Sequence, residues 1–299
     1  MYTYVKNIIN VLRVMKNIFI TGVSSGIGKD AVRYLINKGF RVHGSVRKNE
    51  DADDMVASYG DAFVPYILDV TVKESIYKAR NILKERLEDG RLDVLINNAG
   101  VAIPGPLYHV SDTDFENQMK VNLLGVRMVT NALLPLLGYG DFSKEKPGKI
   151  INISSVSGLF TTPFNGAYCI SKHALECMND VYRRELLPFG IDVIAIEPGP
   201  IKSEIWKKNL GAMDKYQNSP YKDILQKADK MIKNAEMSAL PVETVSKKIF
   251  SIIEDRKPST RNLVHRKKWL FLILAKFVPD RVADRLIWKN FSKESYRPV

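Results

Sequence analysis

Residues 17–30 read "NIFITGVSSGIGKD". A short apolar run ends in a glycine-punctuated turn, and the turn opens into a helical pattern. Gly22, Gly26 and Gly28 stand between the two. Glycines there let the backbone bend sharply and come close to a pyrophosphate, and the helix N-terminus offers that group unpaired N–H donors and a partial positive charge. Ser24, Ser25 and Ile27 belong to the same candidate phosphate loop. Glycines punctuate many strand–helix turns, so the setting of the loop has to decide its meaning.

Outward from this turn, β-branched apolar runs alternate with helix-length segments. "RVHGSV" (41–46), "FVPYILDV" (63–70), "DVLINNAG" (93–100), "KIINISS" (149–155) and "DVIAIEPG" (192–199) read as strands, and 26–39, 73–88, 112–138 and 166–189 as helices. Several strands are apolar on both faces, as in a parallel sheet covered on each side. The alternation predicts an α/β fold, a doubly wound (Rossmann) parallel sheet with helices on both faces and right-handed crossovers. A C-terminal helical extension follows it. Residues 1–14 read as an N-terminal extension, 15–255 as the domain, and 256–299 as a last strand plus the extension.

The chain has 299 residues, 45% of them hydrophobic, enough for a full core. No apolar run approaches the roughly 20 residues that cross a bilayer as a helix. The longest, "WLFLILAKFV" (269–278), contains Lys276. No small-residue cleavage site follows an apolar stretch near the start, so a cytoplasmic protein is expected. Cys169 and Cys177, eight residues apart on one predicted helix, are ~12 Å apart, beyond the ~7 Å reach of a disulfide. Both are expected to be small buried side chains. The four histidines lack metal-ligand spacing, and no metal is expected.

The net charge of +12 resides at the ends. Residues 256–299 carry twelve Lys and Arg against Asp280, Asp284 and Glu294, whereas 18–255 balance to zero. No nucleic-acid motif accompanies this charge.

"AYCISKHALE" (167–176) places Tyr168 and Lys172 four apart, one above the other on a helix. Tyr34 and Lys38 have the same spacing, so the pattern alone proves nothing. Position separates them. Tyr34 lies late in the helix after the glycine loop. Tyr168 shortly follows "INISSVSG" (151–158), which ends a strand at the carboxyl edge, where open α/β sheets bind ligands. A phenol with a pKa near 10 holds its proton at pH 7 and can deliver it to a developing alkoxide. An ammonium one turn away favours the phenolate and eases the reverse step.

Taken together, T-G-x-x-x-G-I-G, "NNAG" (97–100), a serine and Y-x-x-x-K resemble the short-chain dehydrogenase/reductase family over roughly residues 16–250. The chain resembles in particular the retinol and 17β-hydroxysteroid dehydrogenase-like members, in which similar tails occur. The resemblance implies a catalytic tetrad of Ser155, Tyr168, Lys172 and Asn122, in which Asn122 holds a water connecting Lys172 to solvent. Ser154 is the rival for the serine. It further implies that Asp69, Val70, Asn97, Ala99 and Gly100 line the cofactor. Pro198 and Gly199 form the turn beneath the nicotinamide, with Ile201 and Ser203 beyond it. Tyr168 and Lys172 also touch the cofactor. The end of the second strand, "HGSVRKNE", has no carboxylate before Glu50 to receive a ribose 2′-hydroxyl. Ser45 and Arg47 instead suit a 2′-phosphate, so NADP(H) is expected rather than NAD(H).

Residues 204–237 correspond to the family's substrate lid, whose underside would include Trp206, Leu210, Met213 and Tyr216. The expected reaction interconverts a hydrophobic ketone or aldehyde with its alcohol. A 3-oxoacyl thioester reductase and a non-catalytic, cofactor-binding membrane scaffold are the competing readings. In the tail, Arg281, Arg285, Lys289 and Lys293 recur every four residues beside an apolar helix and Trp288. Either a surface lying on anionic lipid or a helix pair docked over the cleft fits that pattern. The resemblance also implies a homodimer or homotetramer.

Overall fold

The computed structural model describes residues 15–143, 145–202, 211–225 and 236–291. Seven parallel strands form one sheet: β1 (Asn17–Ile20), β2 (Arg41–Val46), β3 (Phe63–Ile67), β4 (Val94–Asn97), β5 (Lys149–Ile153), β6 (Asp192–Pro198) and β7 (Arg261–Val264). Their spatial order is β3-β2-β1-β4-β5-β6-β7. The chain winds outward from β1 to one edge, returns beside it as β4 and winds to the other edge. That reversal opens a crevice beyond the carboxyl ends of β1 and β4.

Alternation along the strands divides the core in two. Ile18, Ile20, Val94, Ile96, Ile151 and Ile194 point to one face, beneath α1 (Gly26–Ile36), α2 (Asp53–Tyr59) and α6 (Glu243–Glu254). Phe19, Leu95, Ile150 and Val193 point to the other, beneath α3 (Lys73–Arg86) and the long α4 (residues 112–133). Each large aliphatic side chain removed from water contributes about 1.5–3 kcal/mol. Truncating the fully buried Leu35 to alanine would cost about 2–5 kcal/mol.

The helix α4 is not uniform. It runs as α-helix over Asp112–Met119, widens to a π-helix over Lys120–Gly125 and resumes over Val126–Leu133. It ends at Gly138, whose left-handed φ of 94° no β-carbon would favour. The predicted 112–138 helix is therefore interrupted where Asn122 lies. The 20-residue α5 (Gly166–Glu185) lies against this π segment and β6. It buries Cys169, but Cys177 is exposed, contrary to expectation. Eight residues turn a helix by about 80° beyond two full turns, enough to carry Cys177 off the buried face. Two helices, α7 (Lys268–Phe277) and α8 (Asp280–Phe291), follow β7.

Candidate active site

The glycine loop leaves β1 at Thr21. Gly22 and Gly26 adopt φ of 69° and 58°, conformations that L side chains rarely reach. Gly28 is required for a different reason: a β-carbon there would lie 2.3 Å from the Gly22 carbonyl oxygen and 2.6 Å from Asn98 Nδ2. The loop is fastened to the end of β4. Thr21 Oγ1 accepts from the Asn98 and Ala99 N–H groups at 2.9 and 3.0 Å. Asn98 Nδ2 donates to the Thr21 and Gly22 carbonyls at 2.9 and 2.8 Å. Helix α1 then begins with an extended Ser25 whose side chain makes no cap bond, and with no acid in its first turn. Its leading N–H donors are left to a ligand.

Ser45 is buried, and its Oγ accepts from Gly22 N at 3.1 Å, so it supports the loop from below. Arg47, two residues on, is exposed beyond the end of β2. Asp69 Oδ1 receives Thr71 N and Thr71 Oγ1 at 2.8 and 2.7 Å. Val70 packs where a β-carbon on Gly125 would have to go. Ala99 closes on Gly22, and Gly100 is exposed at the crevice. The Asn97 side chain is buried. Its Nδ2 donates to Thr130 Oγ1 and Asn152 Oδ1 at 3.0 and 2.8 Å, and Asn152 donates on to Asn179. Its amide thus joins a buried chain under the crevice floor.

At the ends of β5 and β6, Ser155 starts a short turn, accepts from Ser157 N at 3.1 Å and reaches the Pro198 carbonyl at 3.5 Å. Its hydroxyl is close enough to bear on the ionisation of Tyr168. Ser154 faces away, its Oγ buried on the side of Gly158. Burial pushes the Tyr168 phenol above its ordinary pKa, and the Ser155 hydroxyl opposes that shift. Lys172 Nζ donates to the Ile153 carbonyl at 2.8 Å and lies 5.7 Å from the Tyr168 ring centre. Burial lowers its pKa to about 8, against the field of Glu176, which raises it.

The decoy pair has nearly the same internal geometry, with Lys38 Nζ 5.6 Å from the Tyr34 ring centre. That lysine also stacks on Phe250 of α6, far from any strand's carboxyl end.

Asn122, in the π segment, exchanges two hydrogen bonds with the Val101 backbone and donates to Ser171 Oγ at 3.1 Å. Ser171 Oγ in turn donates to the Tyr168 carbonyl. The wider winding lets one amide join the loop after β4 to α5. Gly199 abuts the His265 ring, and Ile201 bridges Leu240. Ser203, Trp206 and Leu210 lie outside the described residues. Met213 and Tyr216 are buried with Leu225 against Phe164.

Three contributors were not singled out from the sequence. Gln118 clasps the 101–103 backbone through Ile103 N and the Val101 carbonyl. It stands one turn before Asn122, so helical spacing could have found it. Thr21 was visible only as part of the motif. Glu176, one turn after Lys172, is buried and bonded to Arg261 Nε at 3.1 Å.

Residues 16–213 match the short chain dehydrogenase family. The chain is 39% identical over 279 residues to the NADPH-dependent 3-dehydrocapnine reductase of Ornithobacterium rhinotracheale, covering 93% of this chain and 98% of that relative. It is 31% identical over 287 residues to retinol dehydrogenase 7 of Rattus norvegicus, covering 91% and 88%. Among solved structures, ElxO with NADP bound has a TM-score of 0.70 and 27% identity, covering 84% of this chain and 98% of the other. The chain belongs to the short-chain dehydrogenase family and is an oxidoreductase of that family. The close-packed glycine turn and the uncapped start of α1 fit the pyrophosphate of a nicotinamide dinucleotide.

Proposed function

We propose that the protein is an NADP(H)-dependent reductase that converts a hydrophobic, lipid-like ketone to its alcohol. The similarity to a 3-dehydrocapnine reductase over nearly the whole of both chains carries this reading. The 2′-phosphate preference is supported by Arg47 at the end of a second strand that offers no acid beside it. The coenzyme, when bound along the glycine loop, supplies the hydride. The Tyr168 hydroxyl gives its proton to the carbonyl oxygen, while Ser155 donates a hydrogen bond that holds the same oxygen. Lys172 keeps a positive charge beside the phenol and stabilises the phenolate left behind. Asn122 positions the helix carrying both, through Ser171.

A lipophilic substrate goes with a site at a membrane surface, on the cytoplasmic side. NADPH oxidation measured against 3-dehydrocapnine, a retinaldehyde, a steroid ketone and a 3-oxoacyl thioester tests the substrate. Turnover of the first at a kcat/KM at least tenfold above the others is expected. Preference for the thioester would favour the acyl-reductase reading, and no turnover with any would favour a non-catalytic binding protein.

A further inference from the structure

Helix α7 presents apolar side chains to water. Trp269 is 75% exposed, Leu270 51%, Ile273 52% and Phe277 76%. Trp269, Ile273 and Phe277 recur every four residues, with Leu270 alongside, so they form one stripe along the helix. An ordinary surface helix turns its charged side outward and buries such a stripe. On α8, Val282 and Leu286 are about half exposed, again four residues apart. The contact side of α7 is provided for separately: the Phe271 ring packs 6.2 Å from Phe160 and 5.3 Å from His265. The stripe is thus left over after the helix has docked.

The charge around the stripe is cationic. Arg266, Lys267 and Lys268 are exposed just before α7, and Lys268 lies over the Trp269 ring. Arg281, Arg285 and Lys289 are exposed along α8, with Asp280 and Asp284 as the acids there. Among the described residues, no helix is long and apolar enough to cross a membrane.

We infer that α7 and α8 form a docking surface for an anionic lipid bilayer, with Trp269, Leu270, Ile273 and Phe277 entering the headgroup–acyl boundary and the flanking cations meeting lipid phosphates. A tryptophan with a wet edge, aliphatic neighbours and lysines at the rim suits a depth of roughly 5–10 Å into that boundary. Charge argues against a second copy of the chain as the occupant. A two-fold contact sets a patch against itself, and here that would bring two cationic rims together.

The surface is independent of which ketone the site reduces. Its position has a consequence that does rest on the proposed function. Phe160, the residue on which α7 leans, lies in the connection between Ser155 and Tyr168. A substrate held in the bilayer therefore meets the protein beside its catalytic groups.

Co-sedimentation of the full chain with vesicles of phosphatidylglycerol and phosphatidylcholine tests the inference. Binding to anionic vesicles with a blue-shifted tryptophan emission is expected, along with weak binding to pure phosphatidylcholine. W269E/F277E should abolish binding, and R281E/R285E/K289E should weaken it by about a hundredfold at low salt. Both variants should keep their NADPH affinity and melting temperature, which separates loss of the surface from loss of the fold. Equal sedimentation of wild type and W269E/F277E would overturn the inference. So would a lipid-free dimer that W269E/F277E splits, because the stripe would then be covered by a second copy. Failure of the ketone assay with vesicle binding intact would count against the substrate reading alone.

Discussion

Lys172 and Glu176 stand one turn apart on the buried side of α5, and the carboxylate's field holds up an ammonium that burial pulls down to about 8. Glu176 is itself bound by Arg261, which also meets Asp180 at 3.1 Å and Glu197 at 3.6 Å. One side of α5 thus runs Tyr168, Lys172, Glu176, Asp180 at four-residue intervals and ends on an arginine from β7.

This relationship fixes the sign of a pH effect. In the proposed reaction Lys172 acts as an ammonium, so activity should fall on the alkaline side as it deprotonates near pH 8. Glu176→Gln removes the charge that raises its pKa, and the alkaline limb of the kcat/KM profile should move to lower pH. A merely structural role would lower the rate at every pH and leave the limb in place.

His43 sets an acid limit on stability. It is buried between Tyr66 OH at 3.0 Å and Asn17 Oδ1 at 3.2 Å, and burial, helped by Arg41 and Arg86, lowers its pKa to about 4. An unfolded chain takes up that proton near pH 6.5, so stability is lost as pH falls from about 6.5 to 4, by about 3 kcal/mol. In urea unfolding at pH 6.5 and 4.5, wild type should lose more stability than His43→Gln. Equal losses would show that this ring does not titrate as described.

Arg47→Ala should raise the KM for NADPH by roughly 10- to 100-fold, the worth of a charge-assisted contact to a phosphate, and leave the value for NADH nearly unchanged. Steady-state kinetics with both coenzymes decide it. A parallel rise in both would place the arginine's effect elsewhere.

Gly28→Ala would set a methyl group against the Gly22 carbonyl and the Asn98 amide, which fasten the loop to β4. NADPH binding, followed by fluorescence titration, should drop below detection while far-ultraviolet circular dichroism stays that of the parent. Unchanged affinity would remove the glycine turn from the coenzyme site.

Sheet and glycine loop were legible because both rest on local pattern: short β-branched apolar runs alternating with helix-length segments, and glycines at fixed offsets. The positions proposed for the tetrad rest on the same kind of fixed offset. The direction of the Asn97 amide was not legible, because whether it faces the crevice or the core depends on Thr130 and Asn152, 33 and 55 residues away. Ser45 carried a hydroxyl suited to a phosphate, but its register in β2 brings it under Gly22. The Glu176–Arg261 bond joins residues 85 apart and had no sequence signal. The π segment at Asn122 gave none either, since widening one turn leaves the apolar pattern of the helix intact.

Proton delivery by Tyr168 is tested most directly by single-turnover reduction in a Tyr168→Phe variant, with NADPH binding measured in the same preparation. Coenzyme affinity should be unchanged and the reduction rate lower by about 10²–10⁴-fold. Reduction at the parental rate, with the coenzyme equally well bound, would contradict proton delivery by Tyr168.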